Sequence, residues 1–248
     1  MKTSKNTVLI TGGSAGIGFE IAKLFGANDN RVIILGRNEA RLQQAASRLQ
    51  NVTAIRCDIT DEADLARLAG TLAKDFPELD VVINNAGEAY GYSLEPGAGA
   101  AEKALAEMQT NYFSVIRLTE MLWPILARQT EAAVVNVSSI VAFVPGNRIP
   151  TYSASKAALH SYTQSLRHTQ RDSSVKIFEL MPPLVNTDFS KDIGGADGIA
   201  PSVVAADLLR AFETDTYEIH VGDTAGLYNL FHSSPADAFA AMNPSVPA

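Results

Sequence analysis

Thr7-Val-Leu-Ile-Thr-Gly-Gly-Ser-Ala-Gly-Ile-Gly18 is the stretch that decides the fold. Its apolar start predicts a strand, and the residues from Gly16 onward predict a helix. In a parallel strand–helix unit, such a turn presents free backbone N–H groups and the positive end of a helix dipole to an anion. The spacing Gly-x-x-x-Gly-x-Gly differs from the common Gly-x-Gly-x-x-Gly pattern and lacks the Gly-Lys-Ser/Thr ending of a P-loop. Alone, such a turn is as often a plain turn as a ligand site.

The same alternation of short apolar runs and longer helical stretches continues along the chain. Predicted strands cover Thr7–Thr11, Arg31–Gly36, Thr53–Cys57, Asp80–Asn84, Ala132–Ser138, Val175–Leu180 and Tyr217–Val221. Predicted helices include Gly16–Ala27, a long helix through Asn111 to about Leu126, one that carries Tyr152, and Val203–Phe212. This alternation predicts an α/β protein with about seven parallel strands covered by helices on both faces.

No linker or fixed-period repeat divides the chain, so residues 1–248 are predicted to form a single domain. Segments 88–100 and 186–202 contain glycines and break the alternation, which predicts mobile loops. The tail at 224–248 is apolar. It is interpreted either as local core, as a cover over a pocket, or as a contact with another subunit.

Composition excludes several classes of protein. The chain has 248 residues, 46% of them hydrophobic and 19% charged, with a formal net charge of −7. That charge argues against a nucleic-acid partner. No N-terminal signal and no apolar run of ~18 residues is present, so we expect a cytoplasmic protein without membrane contact. The single cysteine, Cys57, has no partner for a disulfide or zinc site, and no metal is expected.

A Tyr and a Lys four residues apart, Tyr152 and Lys156, lie one helical turn apart on one face. A free phenol titrates near ~10, and an ammonium beside it favours the phenolate. Such a pair therefore suits general acid–base chemistry. Found alone, it would more often be an ordinary helix face.

The combination of motifs resembles the short-chain dehydrogenase/reductase superfamily. The residues that carry it, in order, are Thr11-Gly12-x-x-x-Gly16-Ile17-Gly18, Asn84-Asn85-Ala86-Gly87, Asn111, Ser139 and Tyr152-x-x-x-Lys156. Stretches such as Tyr162-Thr-Gln-Ser-Leu-Arg167 and Phe178-Glu-Leu-Met-Pro-Pro183 look like its bacterial DltE-like group. The resemblance extends to about Asp223. It implies a Rossmann-type doubly wound sheet and a homodimer or homotetramer built on the helices of Asn111 and Tyr152.

By this resemblance, Tyr152 is the general acid or base and Lys156 lowers its pKa and holds the nicotinamide ribose. Ser139 orients the carbonyl, whereas strand alternation turns Ser138 away. Asn111 distorts its helix and holds a water that links Lys156 to solvent. Either serine could instead cap a strand end, and Asn111 could be an exposed helix residue.

The resemblance also assigns a cofactor site. Its residues are Gly12, Ser14, Ala15, Gly16, Ile17, Gly18, Arg37, Asp58, Ile59, Asn85, Ala86, Gly87, Tyr152, Lys156, Val185 and Thr187. Gly36 stands where NAD-preferring relatives carry an acid, and Arg37 follows it. A guanidinium can bind a 2′-phosphate that a carboxylate would repel, so NADP(H) is predicted. Asp58 either accepts from the adenine amino group or caps the helix that begins near Asp61.

The predicted substrate walls are apolar: Ala89–Tyr92, Ile140–Pro150 and the segment after Thr187 with Phe189 and Ile193. They favour a hydrophobic ketone or aldehyde. Pro183, where relatives carry glycine, stiffens the loop beside the nicotinamide. The predicted function is an NADPH-dependent carbonyl reductase or alcohol dehydrogenase of undetermined direction. The alternatives are a catalytically silent dinucleotide-binding scaffold or sensor, and a 3-oxoacyl-chain reductase.

Overall fold

The computed structural model describes residues 1–244, and in this range seven strands form one sheet. The strands are β1 Thr7–Thr11, β2 Arg31–Gly36, β3 Val52–Arg56, β4 Leu79–Asn84, β5 Ala132–Val137, β6 Val175–Met181 and β7 Glu218–His220. All pairings are parallel, in the order β3-β2-β1-β4-β5-β6-β7. The predicted Rossmann-type doubly wound fold is confirmed.

Helices follow most of the strands. They are α1 Gly16–Ala27, α2 Glu39–Ala46, α3 Glu62–Asp75, α4 Ala100–Met108, α5 Ser114–Leu126, α6 Pro150–Thr169, α7 Pro201–Thr214, α8 Thr224–Ser233 and α9 Pro235–Met242. A π-helical turn, Gln109–Phe113, joins α4 to α5. Short 3₁₀ turns lie at Ile140–Ala142, Asp188–Ile193 and Gly195–Asp197. Within the described residues, no helix has both the length and the apolar character to cross a bilayer.

Alternate residues of each strand face opposite layers of the core. Ile10 of β1 packs in the layer that contains Phe25 of α1 and Phe212 of α7, whose rings lie 5.7 Å apart. Leu9, its neighbour on β1, packs in the other layer with Leu122 of α5. Strands that are buried on both faces consist of consecutive apolar residues. The sequence therefore predicts where they lie.

Strand order reverses between β1 and β4. The chain winds outward from β1 to β3, and then returns to add β4 on the other side of β1. The loops that leave the carboxyl ends of β1 and β4 therefore diverge and open a crevice between them. This crevice brings the glycine turn after Thr11 beside the Asn84–Gly87 stretch.

Several boundaries differ from the prediction. The third strand is shifted one residue toward the N-terminus, and the last strand is two residues shorter, since it begins at Glu218 and ends at His220. The long helix through Asn111 is interrupted by the π-helical turn. Segment 186–202 is more ordered than an open loop, since Thr187 and Ser190 cap its first 3₁₀ turn reciprocally.

Candidate active site

One cavity of about 730 Å³ runs along the carboxyl edge of the sheet. Predicted site residues that line it are Gly12, Ser14, Ala15, Gly16, Ile17, Arg37, Asp58, Ile59, Asn85, Ala86, Gly87, Ser139, Tyr152, Lys156, Val185 and Thr187. Predicted residues that do not line it are Gly18 and Asn111. The structure therefore brings the glycine turn and the Tyr–Lys pair to one cleft.

The glycine turn is built to leave backbone donors free. Gly12 and Gly16 have φ of +66° and +55°, a region that side chains disfavour. Helix α1 starts after Ala15, which makes no side-chain capping bond. The first N–H groups of α1 therefore remain available to a ligand in the cavity.

Thr11 fastens this turn to the end of β4. Its hydroxyl oxygen accepts from the backbone N–H groups of Asn85 and Ala86, each at 2.9 Å. The Asn85 side-chain amide donates back to the carbonyl oxygens of Thr11 at 2.9 Å and Gly12 at 3.3 Å. Sequence reasoning used Thr11 only as part of a motif and missed this anchoring role, for which a hydroxyl at a strand end was the available signal.

Gly18 does not line the cavity, and its lack of a side chain serves close packing. A Cβ at this position would lie 2.5 Å from both the Asn85 side-chain nitrogen and the Gly12 carbonyl oxygen. Helix α1 can approach the turn only because position 18 has no side chain.

At the end of β2, the cavity carries positive charge. Ser14 Oγ lies beside Gly36, 3.7 Å from where a Cβ would stand. Arg37 is exposed, and no acidic group among residues 1–244 forms an ion pair with it. Arg41, by contrast, donates from Nη2 to Asp188 Oδ2 across the cavity at 2.9 Å.

Asp58 does not cap α3. Asp61 does so, accepting from the Asp64 N–H at 2.8 Å. Asp58 instead accepts from the Thr60 N–H and hydroxyl through Oδ1, at 2.9 and 2.7 Å. Of its two predicted roles, the capping role is wrong.

The reactive groups lie at the end of β5 and on α6. Tyr152 and Lys156 are buried, and Lys156 Nζ lies 5.5 Å from the Tyr152 ring centroid. Lys156 Nζ donates to the Val137 carbonyl oxygen at 2.8 Å. Ser139 faces the phenol, and its Oγ also accepts from the Val141 N–H at 3.3 Å, so it caps the 3₁₀ turn Ile140–Ala142 as well.

Burial changes the expected electrostatics of this pair. Desolvation raises the pKa of the Tyr152 phenol well above its usual range, hydrogen bonding with Ser139 lowers it, and the charge of Glu107 raises it. Burial also lowers the pKa of Lys156 to about 8, against an opposing effect of Glu179. Desolvation is the largest effect on the pKa of each group, and it opposes the lowering of the phenol pKa that the resemblance assigns to Lys156.

Asn111 is fully buried within the π-helical turn, so it is not an exposed helix residue. Its Oδ1 accepts from the Glu88 N–H at 2.8 Å, and its Nδ2 donates to the Glu88 carbonyl oxygen and to Ser155 Oγ, at 2.8 and 2.9 Å. The side chain thus ties the segment after β4 to α6. The expected helix distortion is present at this position.

The walls of the substrate end differ in part from the prediction. Ile140, Ile149, Phe189 and Ile193 line the cavity. The Phe189 ring centroid stands 6.0 Å from that of Tyr152.

The segment Ala89–Tyr92 does not line it, contrary to the prediction. It is held away, since the Tyr90 N–H donates to Glu107 and the Tyr92 N–H donates to the Arg148 carbonyl oxygen.

The C-terminal tail closes this end of the cavity. Met242 and Asn243 line it. Asn243 Oδ1 accepts from the Asn147 N–H at 2.7 Å, and its Nδ2 donates to the Pro145 carbonyl oxygen at 3.0 Å. Of the interpretations left open by the sequence, the structure favours a cover over the pocket, although residues 245–248 lie outside the described range.

Comparison with known proteins agrees with this geometry. A model of the short chain dehydrogenase family matches residues 6–197. The uncharacterized oxidoreductase DltE of Bacillus subtilis is 41% identical over 199 residues, covering 80% of this chain and 79% of that protein.

Two solved structures share the whole architecture. A short-chain dehydrogenase from Burkholderia cenocepacia in complex with NADP has a TM-score of 0.86 at 25% identity, covering 100% of both chains. One from Burkholderia phymatum in complex with NAD has a TM-score of 0.87 at 20% identity, covering 100% of this chain and 99% of that chain. The chain belongs to the short-chain dehydrogenase/reductase family of oxidoreductases, in its DltE-like group.

Proposed function

We propose that this chain is an NADPH-dependent carbonyl reductase, able to run in reverse as an alcohol dehydrogenase, for hydrophobic ketones or aldehydes. One observation carries the proposal. A single cavity holds the uncapped glycine turn and Arg37 at one end, and Ser139, Tyr152 and Lys156 at the other.

The residues present fit a dinucleotide with a 2′-phosphate. The free N–H groups at the start of α1 suit the pyrophosphate. At the end of β2, Gly36 offers no carboxylate, and the Arg37 guanidinium, with Ser14 beside Gly36, suits a phosphate. Lys156 would bind the ribose next to the nicotinamide, and Val185 and Thr187 would bind the carboxamide of the nicotinamide ring.

The bound cofactor would supply a hydride to the carbonyl carbon, and negative charge would develop on the carbonyl oxygen. Ser139 donates a hydrogen bond to that oxygen, and Tyr152 gives it a proton. Burial raises the pKa of the phenol, so Tyr152 holds its proton at neutral pH and can donate it to that oxygen. The side chain of Asn111 is bonded to Glu88 and Ser155, and its role in this proposal is to stabilise the π-helical turn. A water molecule held at that turn would resupply Lys156 with protons.

The apolar substrate end supports a hydrophobic substrate. Ile140, Ile149, Phe189 and Met242 line it, and Arg148 is the charged side chain at its mouth. The silent scaffold is disfavoured because Ser139, Tyr152 and Lys156 are all present in one cleft.

Cofactor oxidation with a substrate panel tests the proposal. The panel contains aryl ketones, aliphatic aldehydes, diketones and a 3-oxoacyl thioester, each with NADPH and with NADH. We expect turnover of the hydrophobic ketones or aldehydes with NADPH. Preferential turnover of the thioester would instead support the 3-oxoacyl-chain reductase. Tight NADPH binding without turnover of any compound would support the scaffold.

A further inference from the structure

Glu179 is a buried acid that the proposed chemistry does not use. It lies in the middle of β6 with none of its surface exposed. A carboxylate inside a sheet is strongly unfavourable unless polar partners compensate its lost hydration. Its only signal in the sequence is a Glu within the apolar run Phe178-Glu-Leu-Met.

The partners of Glu179 come from two neighbouring elements. Ser138 Oγ, at the end of β5, donates to Oε1 at 2.5 Å. His160 Nδ1, on α6, lies 3.0 Å from Oε1 and 2.9 Å from Oε2. Arg167 Nη2, also on α6, is 3.9 Å from Oε2. The carboxylate therefore joins β5, β6 and α6 at one point.

That point lies directly beside the reactive groups. Three consecutive residues at the tip of β5 have separate partners: Val137 O accepts from Lys156 Nζ, Ser138 binds Glu179, and Ser139 faces Tyr152. On α6, His160 lies one helical turn after Lys156, so the two residues share a face. The hydrogen bonds of Glu179 to Ser138 and His160 therefore connect the tip of β5 to α6, the helix that carries Tyr152 and Lys156.

We propose that Glu179 is a positioning residue. Its carboxylate, bonded to Ser138 and His160, holds the strand tip of Ser139 against the helix of Tyr152 and Lys156 and supplies negative charge to the face of α6 that carries Lys156. This role rests on the proposed function only for its effect on turnover. The effect on Lys156 can be measured without turnover. The charge of Glu179 acts to raise the pKa of Lys156, against the desolvation that lowers it to about 8.

Other titratable groups surround the same carboxylate and belong in the interpretation of any pH effect. On α6 these are His160 and Arg167, and on β7 they are His220 and Glu218. From α8, the Tyr228 ring packs against the rings of His220 and His232, with centroids 4.4 Å and 4.2 Å away. Among these, Glu218 supplies a matched control, since it accepts from Arg167 Nη1 at 2.7 Å and belongs to the adjacent strand.

The experiment compares Glu179→Gln, Ser138→Ala and the control Glu218→Gln with the wild-type chain. Lys156 is titrated by NMR of protein labelled with ¹³C at lysine Cε, its resonance assigned by loss in Lys156→Met, with no cofactor added. We expect a midpoint near 8 in the wild type, about one pH unit lower in Glu179→Gln, and unchanged in Glu218→Gln.

Turnover provides the second readout. Ser138→Ala keeps the charge but removes the bond to the strand tip, and we expect kcat to fall about 3- to 10-fold with an unchanged KM for cofactor. A wild-type Lys156 midpoint in Glu179→Gln, or wild-type kcat in Ser138→Ala, would overturn the proposal. If Glu179→Gln does not fold, Ser138→Ala alone decides. If the wild type has no reductase activity, the proposed function fails, and the Lys156 titration still decides the role of Glu179.

Discussion

Tyr152 and Lys156 share one helical face, as their spacing predicted, but burial alters what each contributes. The phenol is shielded from water and stays protonated at neutral pH, while burial lowers the pKa of the Lys156 ammonium to about 8. Spacing along a chain fixes which side chains share a face. It does not reveal how much water reaches them, and desolvation was therefore the effect that sequence reasoning could not weigh.

Removal of Lys156 gives a prediction about stability. Burial lowers the pKa of Lys156 in the folded chain to about 8, below its ordinary value of 10.5. Between these values the unfolded chain binds a proton that the folded chain does not, so the Lys156 contribution to folding stability rises with pH. Relative to Lys156→Met, the wild type should gain roughly 2–3 kcal/mol of unfolding free energy from pH 7 to pH 10.

Urea unfolding of both proteins at several pH values measures this difference. Groups other than Lys156 titrate in both proteins and cancel. Parallel stability curves for the two would mean that the Lys156 pKa is not depressed in the folded chain.

Arg37 gives a prediction about cofactor choice. Arg37→Leu removes the guanidinium proposed to bind the 2′-phosphate, and should weaken NADPH binding about 10- to 100-fold while leaving NADH within twofold. Fluorescence titration with each cofactor measures both constants. Arg31→Leu, an exposed guanidinium paired with Glu78 at 2.7 Å, is the matched control. An equal loss for NADPH and NADH would refute the phosphate assignment.

At the scale of elements, the positions of the strands and of the helices before residue 224 followed from the sequence, but two features did not. The π-helical turn at Gln109–Phe113 depends on a backbone hydrogen-bond shift, which leaves the apolar periodicity nearly unchanged. The role of Gly18 depends on how closely α1 approaches Asn85, a contact between segments 67 residues apart in numbering that no local pattern encodes.

Two glycine substitutions test that packing. Gly18→Ala places a Cβ 2.5 Å from Asn85 Nδ2 and from Gly12 O, and should destabilise the chain by about 1–3 kcal/mol. Gly70→Ala, in the interior of α3, meets nothing within 4 Å and should stabilise it by about 0.5–1 kcal/mol. Urea midpoints of the two variants give both values. A Gly18→Ala chain as stable as wild type would show that α1 has room to move.

At the scale of the whole molecule, the resemblance implies a two-fold contact between helices around Asn111 and Tyr152. Phe113, in the π-helical turn, leaves 42% of its surface exposed, and the neighbouring Tyr112 ring packs on Tyr162 of α6 at 6.3 Å. An exposed aromatic side chain on that surface supports burial against a second copy.

Phe113→Glu should therefore convert a dimer or tetramer to smaller species in light-scattering measurements. The control is Phe239→Glu on α9, which replaces a phenylalanine that is 48% exposed. Dissociation caused by Phe239→Glu and not by Phe113→Glu would place the subunit contact at the tail instead.

The whole-molecule architecture was predictable because its signals are local: apolar runs, glycine turns and a Tyr–Lys spacing. The tail was not, because its apolar residues fit a core, a cover or an interface equally well. Contacts in the fold, such as the bonds of Asn243 to Asn147 and Pro145, show where it lies.

The most direct measurement pairs cofactor binding with turnover in Tyr152→Phe. This change removes one oxygen from a buried ring, and the fold should tolerate it. We expect NADPH to bind within twofold of wild type while kcat falls about 10²- to 10⁴-fold, the range that a general acid contributes. Turnover by Tyr152→Phe near the wild-type rate would contradict the assignment of Tyr152 as the proton donor.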